Sequence, residues 1–383
     1  MLHHPRPRTP LSRAVRPSIE GLESREVMSA MMVPHAEIST LRAGHQHAVS
    51  TIAQLPNAPS RTVSTVPATG DVNPYGVVFV PLGFARGGTI RHGDVLVSNF
   101  NNSDNLQGTG TTIMRVTPNN QASVFFQAPA GSGLTTALGV LKRGFVLVGN
   151  VPSTDGTSAT AMAGSLMVLD KHGKLVANLT NPNLLNGPWD LTVFDQGNRA
   201  SVFVSNVLSG TVTRLNLRLP AGGGVQVVSE TQIASGYTHQ GDPAAFEIGP
   251  TGLVYDHATD TLFVASTGDN AVYAVPHAGR TQVDGGTGTV IYQDDAHLHG
   301  PLGMTTAADG NLIVANGDAV NPDPNNPSTL VEFTRRGQFV GQFSLSTSPG
   351  GAFGIATAPD GTQLAAVNDI TNSVTIWRIR RKS

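Results

Sequence analysis

Cysteine is absent from the 383 residues. That excludes a disulfide framework, thiolate metal ligands and a cysteine nucleophile. Charge is scarce as well, at 13% of residues with a net of −2. So little charge leaves no electrostatic footprint for nucleic acid, and it suits neither a coiled coil nor a charged disordered chain. No apolar run approaches the roughly 18–20 residues of a membrane helix. Turn chemistry is plentiful, with 43 Gly and 25 Pro among 39% hydrophobic residues. The length allows two average domains or one large β-rich domain, with ample core in either case.

The ends differ from the middle. Residues 1–70 carry a net +3 and the last six residues +4, so residues 71–377 carry −9. Residues 1–47 show no sustained helical or strand period, with four Pro before Ile19 and five His. This predicts a disordered or processed leader at 1–47, ahead of a folded body at 48–383. Within it, Leu22-Glu23-Ser24-Arg25-Glu26-Val27-Met28-Ser29 resembles the Leu-Glu-x-Arg-x-x-x-Ser motif of exported planctomycete proteins. The resemblance implies export to the cell envelope or the extracellular space.

The body repeats. A small residue, usually Gly, stands two positions after Pro or Ala and opens an apolar run: Pro74-Tyr75-Gly76, Ala137-Leu138-Gly139, Pro188-Trp189-Asp190, Pro250-Thr251-Gly252, Pro301-Leu302-Gly303 and Ala352-Phe353-Gly354. The spacings are 63, 51, 62, 51 and 51 residues. Each is followed by a β-branched run ending in Asn99, Asn150, Asn206, Asn316 or Asn368, with Ser266 in the fourth repeat. A third, alternating run follows, and then a weaker fourth. Runs of this length between turn residues are strands. Six units of four antiparallel strands predict an all-β, six-bladed β-propeller. Each small sheet is apolar on both faces and buries them only by radial stacking. The sixth unit lacks its outer strand, so an N-terminal segment must supply it, either Arg61–Val66 or Ala48–Gln54.

These motifs resemble NHL-repeat propellers across about residues 71–377. Asp190 in Gly-Pro-Trp-Asp-Leu, the run Ala296-His297-Leu298-His299-Gly300-Pro301 and Ala315-Asn316-Gly317-Asp318 are similar to a group of bacterial NHL-repeat proteins. That group brings no activity with it, and the fold alone decides none.

Strand alternation puts the start of each inner strand, the two-to-three loops and the blade-to-blade crossings on one face. The long loops 100–111, 151–164 and 317–328 lie there, which marks it as the predicted binding face. It should carry the Asn column with Asn73, Asn186, Asp190, His239, Asp242, Glu247, His297 and His299. Asn also serves strand exits structurally, by taking left-handed backbone and bonding nearby main chain. Asp190 replaces Gly in its column, and a lone carboxylate near the axis must be paired, solvated or bound to a cation. His299 and Asn186 are its expected neighbours. His297 and His299, two apart, would share a face on a strand and could reach one divalent metal. The run from Asp318 to Asn326 has the ring of calcium ligands, but Pro322, Pro324 and a missing Gly break the EF-hand register.

Two functions stay open. One is a monomeric binding scaffold for a protein, a glycan or a small polar ligand. The other is a metal-dependent lactonase or esterase with its site at the channel mouth. Gluconolactonases of the senescence-marker type are similar in having six blades. That resemblance implies Glu, Asn and Asp metal ligands just before the inner-strand Gly. Here those positions are Tyr75, Leu138, Trp189, Thr251, Leu302 and Phe353, none of them a carboxylate or amide. No G-x-S-x-G elbow is present.

The leader motif generates a first prediction. Fractionation of the source cells should find the protein outside the cytoplasm, and full-length protein confined to the cytoplasm would contradict the export reading.

Overall fold

The computed structural model describes residues 50–317 and 320–380. Six four-stranded antiparallel sheets follow one another along the chain. Blade one is Val72–Phe79, Val95–Asn101, Thr112–Val116 and Ala122–Gln127. Blade two is Leu134–Leu141, Phe145–Asn150, Ser165–Asp170 and Leu175–Leu179. Blade three is Pro188–Asp195, Arg199–Asn206, Thr211–Arg218 and Gln226–Ser235. Blade four is Pro250–Asp256, Thr261–Ser266, Ala271–Pro276 and Thr289–Tyr292. Blade five is Pro301–Thr306, Leu312–Asn316, Thr329–Phe333 and Phe339–Ser344. Blade six is Ala352–Thr357, Gln363–Asn368 and Ser373–Arg378, completed by Ser60–Ser64.

The apolar residues on the two faces of each sheet make cores between neighbours. One core joins blades one and two around Leu96, Ile113 and Val146. Others join two with three around Leu166 and Val202, and three with four around Phe203 and Leu262. Met304 and Phe333 mark the junction of four with five, and Ile313 and Leu364 that of five with six. Blades six and one meet through Val374, Ile376, Val77 and Val97.

In four blades the inner strands pack too closely for a side chain in the Gly column. A Cβ on Gly354 would lie 2.0 Å from the Tyr75 carbonyl oxygen, and one on Gly303 would lie 2.4 Å from that of Phe353. Every inner strand also shifts register at this column, as between Pro74 and Val77 or Pro301 and Met304. Such a bulge bends the strand, here where it reaches the axis. Hydroxyls tie two of the inner strands to the next: Thr135 Oγ1 donates to the Pro188 carbonyl at 2.8 Å and Thr251 Oγ1 to that of Pro301 at 3.0 Å.

Of the two candidates for closure, the first supplies the strand. Ser60–Ser64 pairs with Ser373–Trp377, and the Arg61 guanidinium crosses to blade one, donating to the carbonyls of Thr117 and Pro118. The second is a short helix, Thr51–Gln54, capped by Ser50, whose Oγ accepts from the Ala53 N–H. Ile52 and Leu55 enter the core between blades five and six. The Ile52 N–H donates to Glu332, a fully buried carboxyl of blade five that burial raises to about 7. One segment therefore fastens blades five, six and one.

Removing residues 1–65 should lower the melting temperature by about 10 °C or more relative to removing 1–47, since only the longer deletion takes the helix and the closing strand. Thermal melts of the two truncations check this, and equal melting temperatures would contradict the closure.

Candidate functional site

The residues that meet on the axis are Tyr75, Thr135, Trp189, Thr251, Leu302 and Phe353, each following the residue paired with the end of the second strand. In blade two the expected column is displaced, because Leu134 takes that pairing, Thr136 stands where Gly was expected, and Leu138 packs instead in the core between blades one and two. Tyr75 stacks on Phe353 and on Phe100, each with ring centroids 4.6 Å apart, and it meets Trp189 edge-on at 5.8 Å. Phe246 closes this cluster against Phe100 and Trp189, at 5.6 and 6.3 Å. It comes from a hairpin, Gln240–Asp242 with Phe246–Ile248, inserted between blades three and four, and it holds a left-handed φ of 65°. The aromatic plug divides the axis into two cavities.

The cavity on the looped face has a volume of about 250 Å³ and a floor of Tyr75, Leu302 and Phe353. Its walls include Asn73, Asn101, Gln107, Glu247 and Asp369. Glu247 is only 6% exposed, and burial raises its carboxyl to about 7. Burial raises Asp369 to about 6. Among the described residues no hydrogen-bond donor meets either carboxylate, so desolvation acts unopposed. Burial also raises the Tyr75 phenol, assisted by the charge of Asp369. The mouth thus offers two carboxyl groups that exchange protons near neutrality and one phenol that keeps its proton.

The Asn column is committed to the chain's own crossings. Asn99 Nδ2 donates to the Thr65 carbonyl, Asn150 to Ser132, Asn206 to Leu184, Asn316 to His297 and Asn368 to Leu345. Each acceptor lies in the segment that arrives from the preceding blade. In blade four, where Ser266 replaces Asn, Asp269 takes over by accepting from Ser266 Oγ and from Thr238 of the crossing. Asn99 and Asn206 are fully buried. Of the amides singled out in the sequence, Asn73 lines the mouth, with a left-handed φ of 59° and its N–H on Asn372 Oδ1. Asn186 and the exposed His239 do not line it.

The expected histidine pair is not assembled. Residues 294–300 form a turn rather than a strand, so the two rings diverge. His297 Nδ1 is 2.5 Å from Asp294 and its ring stacks on Phe339. His299 Nε2 faces Asp323 at 3.9 Å. Asp323 is engaged locally, accepting from the Asn325 N–H and Asn326 Nδ2, and Asp318 lies outside the described residues. Among the described residues no three His, Asp or Glu side chains gather as a metal site. The axial column does not fit a divalent cation either. Its side chains are apolar or aromatic apart from Thr135, whose hydroxyl is held by the Pro188 carbonyl, and Thr251, whose hydroxyl is held by those of Ala265 and Pro301.

Asp190 is not beside His299 and Asn186. It lines the second cavity, about 550 Å³, which opens on the short-loop face. Trp189 joins the plug, and the next side chain along the strand points away from it. The Asp190 N–H donates to Ser205 Oγ at 3.0 Å, as the Gly76 N–H donates to Ser98 Oγ at 2.9 Å. Its backbone therefore copies the Gly it replaces. The carboxyl accepts from its own neighbour Leu191 and from Leu253 of the next blade. It still touches the channel lumen, yet burial raises it well above the usual carboxylate range, against these two hydrogen bonds. It is a staple between blades three and four.

Sequence reasoning placed Glu247 on the polar face without singling it out, and it missed Asp369 and the plug. Three aromatics in one axial column, Tyr75, Trp189 and Phe353, were the available signal for the plug. Nothing local marks Asp369.

An amide oxygen can accept from the same two N–H groups. Asp190→Asn should therefore stay within about 1 kcal/mol of the parent in urea melts, whereas Asp190→Ala should cost about 1–3 kcal/mol by leaving the Leu253 N–H unpaired. Equal losses for both would show that a charged carboxylate is needed.

No protein-family model matches the chain, and no curated protein is detectably similar in sequence. Solved structures do match. A putative gluconolactonase is 14% identical with a TM-score of 0.53, over 87% of this chain and 98% of that one. A gluconolactonase from Xanthomonas campestris is 14% identical with a TM-score of 0.51, over 86% and 94%. A calcium-binding protein, regucalcin, from Agrobacterium tumefaciens is 13% identical with a TM-score of 0.50, over 84% and 96%. At this identity the likeness is one of fold, a six-bladed propeller spanning nearly the whole of each.

Proposed function

We propose that the looped mouth is the working site and that the chain is a hydrolase of lactonase or esterase type acting on a small polar molecule. The observation that carries this reading is the pairing of Glu247 and Asp369 in one 250 Å³ pocket, raised to about 7 and about 6. A carboxyl whose proton affinity lies near the working pH serves general acid–base chemistry best. Near pH 7 Asp369 is largely ionised and takes a proton from the attacking water. Glu247 is about half protonated and gives its proton to the departing oxygen. Tyr75, on the floor, donates a hydrogen bond to the oxygen that gains charge. The likeness to structures described as gluconolactonases supports the reaction class. No step here is routed through a metal, because the axial column offers no ligand set. NHL-type kinship and export, carried by the repeat column and the leader motif, belong to the same proposal.

A binding scaffold for a glycan or protein is the second reading. The plug favours it, since aromatic rings fill the column to which the lactonase resemblance assigns metal ligands.

A panel of sugar lactones and aryl esters tests the first reading. Glu247→Gln and Asp369→Asn should each lower kcat/KM by about 100-fold or more, and the parent pH profile should be a bell with limbs near 6 and 7. No turnover of any member, together with binding of a sugar or peptide at the mouth, would leave the scaffold.

A stability signature accompanies this. Burial raises both folded-state values above the unfolded ones, so the folded protein holds the extra protons. Their contribution is full below the ordinary carboxylate range and is lost as pH rises through about 6 and 7. The melting temperature should fall between pH 5 and pH 8. Glu332 acts in the same direction, so the double variant Glu247→Gln/Asp369→Asn should flatten the fall in part. An unchanged slope in that variant would contradict the assignment.

A further inference from the structure

On the short-loop face, remote from the looped mouth, blade three carries a groove of about 770 Å³. Three arginines line it: Arg143 from the first loop of blade two, and Arg199 and Arg218 from blade three. Arg199 and Arg218 are direct cross-strand partners in an antiparallel ladder. Like charges placed opposite each other destabilise a sheet unless something neutralises them. Both side chains are exposed, and among the described residues no acidic group pairs with them. Five ion pairs occur among the described residues, at Arg115, Arg280, His297, His299 and Arg335, and none involves these three arginines. None of the three guanidinium groups makes a side-chain hydrogen bond there either. The nearest acid in sequence, Asp195, is already engaged by the N–H groups of Lys142 and Gly197.

The concentration of positive charge stands out against its setting, because residues 71–377 carry a net −9. The groove is rigid. Its floor is fully buried Leu219 with Leu217, and Asn216 is held between the hydroxyls of Ser201 and Ser229, both at 3.0 Å. Gln196 and Asn198 add amide groups at the rim. Guanidinium forks match the geometry of phosphate and sulfate oxygens, and amides and hydroxyls match sugar hydroxyls.

We infer that this groove binds a sugar-type polyol carrying phosphate or sulfate groups, with Arg199 and Arg218 gripping one dianion and Arg143 a second. The shared chemistry has two sources, a free sugar phosphate or an anionic polysaccharide. The site is independent of the hydrolase reading, since it lies on the opposite face and uses none of the mouth's residues.

Calorimetric titration of the full chain at low salt tests it with three probes: fructose 1,6-bisphosphate, dextran sulfate and unmodified dextran. At least one anionic probe should bind and weaken as salt rises, dextran should not bind, and Arg199→Gln/Arg218→Gln should weaken that anionic probe by at least tenfold. Binding of the bisphosphate alone assigns a free small ligand, and binding of dextran sulfate alone assigns a polymer. The ligand-free double variant should melt at or above the parent temperature, because the opposed charges are gone. Absence of binding by both anionic probes, or equal binding to parent and variant, would overturn the proposal. So would a variant that melts below the parent, since that would make the pair structural.

Discussion

Everything in this fold depends on how closely six inner strands can approach one axis. Where the strand of blade six passes that of blade one, a single added carbon would stand 2.0 Å from a carbonyl oxygen. Only Gly passes there, and the bulge at the same column turns each strand through the narrowest point. Tight convergence brings neighbouring sheets into contact along their length. The interblade cores follow from that contact, because a four-stranded sheet with two apolar faces has no other way to bury them.

The same convergence decides what the axis can do. Side chains just before the Gly column point inward together, and here they are rings and apolar groups apart from two threonines whose hydroxyls are engaged by carbonyls. They stack into a plug and separate two polar spaces. Above it, burial without hydrogen-bond donors lifts Glu247 and Asp369 toward neutrality. Below it, Asp190, also raised by burial, ties blade three to blade four. The carboxyls differ in consequence: the pair at the mouth has free valences for a ligand, whereas Asp190 is already occupied by two backbone N–H groups.

Closure and crossings use polar groups for mechanical ends. The Asn amides each hold the segment that arrives from the preceding blade. Asp269 replaces one of them through a longer relay, which shows that the crossing must be held and that the residue type is secondary. Arg214, wholly buried, reaches from blade three to the carbonyls of Ala278 and Thr281 beside blade four. Unlike these groups, the arginines of blade three and the carboxylates of the mouth have no structural partner among the described residues. Groups that folding leaves unengaged at a cavity are the ones free to meet a ligand.

Periodicity in the sequence determined the architecture. The Gly column, the β-branched runs and the missing sixth outer strand are local patterns, and they specified six blades and an N-terminal closing strand before any contact was known. The looped face was legible for the same reason, since strand alternation assigns every loop to an end. The composition of the candidate site was not. Glu247 and Asp369 are about 120 residues apart, and their meeting depends on where the hairpin before blade four and the turn of blade six arrive around the ring. The direction of Asp190 was misjudged because adjacent residues at a bulge diverge, so Trp189 joined the plug and Asp190 the channel behind it. His297 and His299 were expected to share a face, yet their segment is a turn, where a spacing of two fixes no common direction. The sequence alone determined which residues form strands and in what order, because those choices depend on neighbours along the chain. Only the tertiary structure decided which polar groups lose water together, because desolvation is set by what packs around a group in space.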